Sequence, residues 1–142
     1  MNTLTAVSPV LSERGTAWAA LCDVRRWSTW LPTVTSVTAL DPTAEEGVGA
    51  AYRVVQPRLG EATWTITEWE QGTRFTWQSR RPGVTTIGTH ELVETADGTR
   101  ARLGITWVGP LAWFARRAFG RMTQGYLDQE AAALADRCRA HS

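Results

Sequence analysis

Lysine is missing altogether: the 15 basic side chains of this 142-residue sequence are all arginine. That excludes Schiff-base catalysis, lysine-bound pyridoxal phosphate and any phosphate loop ending in Gly-Lys. Cysteine is scarce, and Cys22 and Cys138 stand far apart, outside any CxxC spacing. Met1–Glu13 has no basic start and its apolar residues are broken by Thr, Ser and Pro9, so a cytoplasmic protein with reduced thiols is expected. The two histidines, His90 and His141, belong to no Cys/His cluster, so no metal site is expected, and no cofactor motif is present. A formal net charge of +1 supplies no field to hold a polyanion, and no nucleic-acid partner is expected. No serine sits in the strand–turn–helix elbow of a hydrolase. The uncharged stretch Leu103–Ala115 is interrupted by Gly109-Pro110 and is well short of the ~20 residues that a membrane span requires.

What the chain does carry is tryptophan, 8 of them, within a 43% hydrophobic composition suited to one globular domain. At this length about 68–70% of the unfolded surface can be buried without metal or disulfide. The hydrophobic period changes twice. Thr3–Val10 reads as a strand. Ser12 is placed to cap a helix running to Cys22, and Asp23 to cap a second short helix, Val24–Trp30, stopped by Leu31-Pro32. Period two then holds in Val34–Leu40, Ala50–Gln56, Ala62–Glu70, Arg74–Ser79, Thr85–Glu94 and Thr99–Trp107. The separators Asp41-Pro42, Gln71-Gly72, Arg81-Pro82-Gly83 and Asp97-Gly98 are turn chemistry, so an antiparallel meander follows. Helical period returns from Pro110, at the first helical position, to about Ala140. Its apolar stripe reads Leu111, Phe114, Ala118, Met122, Gly125 or Tyr126, Gln129 and Ala133.

A helix over Leu111–Arg139 would be about 43 Å long, whereas a domain of this size is about 37 Å across. The helix must cross the whole globule, and something concave must receive it. A curved antiparallel sheet does so, which predicts an α+β helix-grip fold of order βααββββββα, with the sheet wrapped around the long C-terminal helix.

Particular segments sharpen this expectation. They are Trp18 to Asp23 leading into Asp23-Val-Arg-Arg-Trp27-Ser-Thr-Trp30-Leu-Pro32, Gly47-Val-Gly49 leading to Gln56-Pro57, Trp64-Thr-Ile-Thr-Glu68-Trp69-Glu-Gln-Gly72-Thr-Arg74-Phe75-Thr-Trp77, and Pro82-Gly83 followed by His90-Glu-Leu92 and Asp97-Gly98-Thr99. In this order the chain resembles the SRPBCC (START-related, polyketide cyclase/dehydrase) superfamily over nearly its whole length. The resemblance implies polyketide cyclases, lipid carriers or ligand sensors as the functional range, and fold alone does not choose among them.

Strand alternation supplies an inward set. It comprises Tyr52, Val54 and Gln56; Trp64 and Ile66, then either Glu68 or, across a bulge, Trp69; Phe75, Trp77 and Ser79; Thr86, Gly88, His90 and Leu92; and Ala101, Leu103, Ile105 and Trp107. With Phe114, Ala118, Met122 and Tyr126 from the helix, these residues would line an apolar, aromatic cup with a few polar groups. Small-molecule sites have this make-up; core polar groups bonded to one another have it too. His90 is the candidate general acid/base for enolisation or loss of water, with Glu68 as its orienting carboxylate if that residue faces inward. Trp27 and Trp30 would stand at the cavity mouth, where they gate entry or seal the core. The Gly47-Val48-Gly49 loop resembles the lid of helix-grip proteins.

The partner expected is a hydrophobic, aromatic or polyketide-like small molecule, bound by a monomer or homodimer. Cofactor-free cyclase or dehydratase activity is one outcome, and a non-catalytic lipid or small-ligand carrier or sensor is the other. Leu111-Ala-Trp113-Phe114-Ala-Arg116-Arg117-Ala-Phe119 has an interfacial look, but a helix packed on its own sheet gives the same pattern. Net charge adds nothing further to the membrane reading, which stands as the third alternative, a membrane-associated lipid handler, behind the two cavity readings.

Overall fold

The structure, a computed structural model, describes residues 2–11 and 13–140. In chain order it runs β1 (Thr3–Val7), α1 (Arg14–Cys22), a 3-10 helix (Val24–Thr29), β2 (Ser36–Ala39), β3 (Ala51–Gln56), β4 (Gly60–Glu70), β5 (Arg74–Arg81), β6 (Val84–Thr95), β7 (Gly98–Val108) and α2 (Ala112–Ala140). The expected helix-grip fold is what forms. All seven strands make one antiparallel sheet of order β1-β7-β6-β5-β4-β3-β2, curved around the 29-residue α2. The first strand closes the far edge by pairing with the last, Leu4 opposite Ile105.

Local chemistry explains most boundaries. Short polar turns join β3 to β7 in sequence, and Arg81 pairs with Val84 across the two-residue turn Pro82-Gly83. Glu13 occupies the N-cap of α1 without a side-chain bond, and the Ser12 cap expected there lies outside the described residues, as does His141. Asp23 likewise makes no capping bond; its carboxylate pairs instead with Arg26 at 3.4 Å. The long helix begins at Ala112, not Pro110, because the N–H of Leu111 donates to the Gly83 carbonyl at 2.8 Å. Gly109 makes the turn before it: its φ is +110°, and a Cβ there would stand 2.7 Å from the Gly83 oxygen.

Two departures bear on the site. The β4–β5 register shifts between Ile66 and Glu68, so one extra residue, Thr67, reverses the alternation. Trp69 therefore lies opposite Phe75 on the inner face, while Glu68 is exposed on the outer face. The bulge thus removes Glu68 as a catalytic carboxylate. The apolar stripe of α2 is also displaced by one residue, or about 100° around the helix. Its buried positions are Ala112, Ala115, Leu127, Ala131, Leu134, Ala135 and Cys138. Phe114 and Ala118, expected inside, are exposed, and Met122 is only half-buried.

Candidate functional site

The core falls into two parts. The larger gathers Trp18, Trp27, Tyr52, Trp64, Phe75, Trp77 and Leu103 with the C-terminal half of α2. The smaller consists of Trp107, Ala112 and Ala115, with Leu4, Val84 and Ile105 packed against it. Between them, the sheet and α2 leave a cavity of about 320 Å³. Its buried wall is Trp64, Ser79, Trp107, Ala115 and Leu127, and its rim is made by the exposed residues Arg58, Gly60, Arg81 and Phe119. From Ala115 to Glu130 the cavity follows α2 for about 22 Å.

Three polar features shape it. Tyr126, on α2, donates a hydrogen bond to the Pro57 carbonyl and ties the β3–β4 turn across the helix. Gln56 and Ser79 add polar atoms from the sheet. At the far end the hydroxyl of Thr33, itself buried, donates to Glu130 Oε1 at 3.0 Å. Burial pushes the Glu130 carboxyl up to about 7, opposed by the Thr33 hydrogen bond. Glu130 thus exchanges its proton near neutrality as the one acid lining the chamber.

The candidate residues divide accordingly. Gln56, Trp64, Ser79 and Tyr126 line the cavity. Val54, Ile66, Phe75, Trp77 and Leu103 do not; they are buried in the larger core. Tyr52 is buried too, and reaches only a separate chamber of about 260 Å³ with Arg25 and Asp41, beneath the β2–β3 loop. That loop carries Gly47-Val48-Gly49 and covers this chamber. The turn at the main mouth is the one between β3 and β4. Trp27 and Trp30 stand at no mouth. Trp27 is buried and donates from its indole to the Leu21 carbonyl at 3.1 Å, and Trp30 packs against the same core, so both seal it.

His90 is corrected most sharply. Its ring stacks on Phe75 at 4.2 Å and meets Trp27 and Trp77, each at 5.4 Å. Nδ1 lies 3.3 Å from the Phe75 carbonyl. Burial drives its pKa down to about 4, so the imidazole is neutral, and it does not line the cavity. Gly88 makes this packing possible, since a Cβ there would come within 2.7 Å of the Trp77 indole nitrogen. Both cysteines are free thiols, and burial raises Cys22 to about 11, which leaves it a poor nucleophile. Among the described residues no group of three His, Cys, Asp or Glu side chains could hold a metal ion, and no helix is long and apolar enough to cross a membrane.

Glu130 was missed in the sequence, together with Thr33, Ala115, Phe119, Thr123 and Leu127, whereas Trp107 belongs to the inward set expected from strand alternation. The signal for the helical members was available. Ala112, Ala115, Phe119, Thr123, Leu127, Ala131, Leu134 and Cys138 keep three-to-four spacing throughout, whereas the stripe favoured earlier passes through Gln129.

A family model described as polyketide cyclase / dehydrase and lipid transport matches residues 14–139. No curated protein sequence matches the chain. Among solved structures, the protein TTHA0849 from Thermus thermophilus is similar at 20% identity and a TM-score of 0.70, covering 99% of this chain and 97% of that one. The protein XoxI from Bacillus cereus is similar at 10% identity and a TM-score of 0.75, covering 98% and 96%. The di-domain ARO/CYC protein BexL of the BE-7585A biosynthetic pathway is similar at 17% identity and a TM-score of 0.73, with 96% of this chain matched to 49% of that one. At these identities the likeness is one of fold.

Proposed function

Since the chain belongs to the polyketide cyclase/dehydrase and lipid-transport family, we propose that it holds a mainly apolar, polyketide-like ring compound in the cavity between sheet and α2. The observation that carries this reading is the chamber's polarity. Indole walls, Trp64 and Trp107, accompany a single acid, Glu130, held by Thr33, while two exposed arginines, Arg58 and Arg81, stand on the rim. A volume of about 320 Å³ lies at the lower end of small-molecule sites. Protonated Glu130 donates to a ligand carbonyl or phenol oxygen. Ionised, it repels a carboxylate, so an acid-bearing ligand keeps its charge at the rim, beside Arg58 and Arg81.

The sharper form of the reading is cofactor-free cyclisation or dehydration, and it passes from His90 to Glu130. A carboxyl near neutrality can protonate a ketone oxygen as an enol carbon attacks it, or a hydroxyl as it leaves as water. The resulting carboxylate then recovers a proton from the adjacent carbon. The plainer form is a carrier or sensor that uses the same contacts without turnover.

Titration with 1,8-dihydroxyanthraquinone tests the cavity, read by quenching of tryptophan fluorescence. Wild-type protein should show saturable quenching. Thr123→Trp, which drives an indole into the chamber, should weaken it at least tenfold. Equal affinity in the two proteins removes the reading. Once a substrate is in hand, Glu130→Gln separates the two forms, because an acid/base role is worth about 10²–10⁴ in turnover and a carrier has none to lose.

A further inference from the structure

We propose that the start of α2, the loop before it and the β5–β6 turn form a docking surface for an anionic lipid bilayer, set against the cavity rim. The exposed large apolar side chains are unevenly distributed. Of nine such residues among those described, five, Val108, Leu111, Trp113, Phe114 and Phe119, fall within residues 108–119 and include every aromatic one, while Val7, Val10, Leu40 and Val48 are scattered elsewhere. Trp113, Phe114 and Phe119 are also the only strongly exposed aromatic rings among the described residues. A monomer seldom leaves such a patch to water without a use for it.

Charge identifies the occupant. A net charge of +1 argues against a membrane surface only while charge is evenly spread, and here it is partitioned. Residues 104–127 contain no aspartate or glutamate, but they hold Arg116, Arg117 and Arg121. The Leu111–Gly83 hydrogen bond at 2.8 Å fastens the β5–β6 turn, with the exposed Arg80 and Arg81, to the same end of the molecule. Among the described residues no carboxylate pairs with Arg81, Arg117 or Arg121. Aromatic rings that enter the headgroup layer, fringed by arginines that meet lipid phosphates, fit an anionic bilayer.

A second copy of the chain fits poorly. A two-fold interface built from this patch would set arginines of one copy against arginines of the other, and the nearby Glu61 is already paired with Arg53 at 2.9 Å. The position of the patch adds a purpose. Phe119 and Arg81 belong both to it and to the cavity rim, so a docked protein would open its cavity onto the bilayer and pass an apolar ligand across without exposing it to water.

Vesicle flotation of the full chain tests the proposal, with phosphatidylcholine alone and phosphatidylcholine mixed with phosphatidylglycerol. Binding should appear on the anionic vesicles and weaken at high salt, as screening shortens electrostatic reach. The exposed pair Trp113→Ser/Phe114→Ser should lower partitioning at least tenfold. Arg117→Gln and Arg121→Gln should each lower it about fivefold. Urea denaturation of each variant, unchanged from wild type, shows that the fold persists. Three results would overturn the proposal. They are no flotation on either vesicle, flotation indifferent to the aromatic pair, or a dimer in light scattering that these same substitutions dissociate.

Discussion

Replacing Glu130 with glutamine keeps the side chain's shape and removes one ionisation, so stability should change only in a defined pH window. In the unfolded chain the carboxyl titrates near its ordinary 4.5; in the cavity it titrates at about 7. Below pH 4.5 both states carry the proton and no difference arises. As pH rises from 4.5 to about 7 the unfolded chain releases a proton that the folded protein retains, so stability falls with rising pH, and above about 7 the loss is complete. At about 1.4 kcal/mol per pH unit, that displacement sets an upper limit of about 3 kcal/mol. Water reaching a half-buried carboxylate in an open chamber reduces the expected cost to about 1–2 kcal/mol. His90 works in the opposite sense. Its imidazole is held at about 4 instead of 6.5, so acidification through that range favours the unfolded chain. The two slopes oppose each other where they overlap, and the wild-type curve alone conceals both. The difference between wild type and Glu130→Gln isolates one. Urea denaturation from about pH 5 to pH 8 should show the variant gaining about 1–2 kcal/mol relative to wild type, or roughly 2–8 °C in Tm. Parallel curves would refute the buried acid.

Two further outcomes follow from the same geometry. Relative to wild type, His90→Gln should gain stability as pH falls from 6.5 to about 4 in the same denaturation series, while leaving anthraquinone quenching unchanged, since the ring does not reach the cavity. The β4 bulge separates two neighbours. Trp69→Ala should cost about 2–3 kcal/mol by urea denaturation, and Glu68→Ala less than about 0.5 kcal/mol. The reverse order would mean that the register runs straight through.

The half-filled cup follows from where the large rings go. Trp27, Phe75, Trp77 and His90 interlock at 4.2–6.2 Å and leave no room between them. At the other end of α2 the inward side chains are Ala112 and Ala115, which pack against Trp107 but are too small to fill the space beside Trp64. Small residues on the helix thus leave the space, and indoles on the sheet line it.

Strand parity was legible without coordinates because it is local. Side chains alternate at every residue, so Leu103, Trp77 and Trp64 point inward whatever the rest of the chain does, and turn chemistry between strands leaves hairpins as the short connections. The length of α2 against the width of the domain required a concave partner. Three matters were beyond sequence pattern, each for a non-local reason. The bulge at Thr67 depends on how β4 meets β5, and one inserted residue exchanged Glu68 for Trp69. The phase of α2 depended on which flank the sheet could receive: both flanks carry apolar side chains at the same period, and the choice sent Phe114 to the surface and Glu130 into the chamber. The protonation of Glu130 and His90 followed from burial, which belongs to the folded surroundings and not to either residue. Sequence alone thus determined the sheet and the helix it holds, and tertiary packing decided where the hollow lies and which acid faces it.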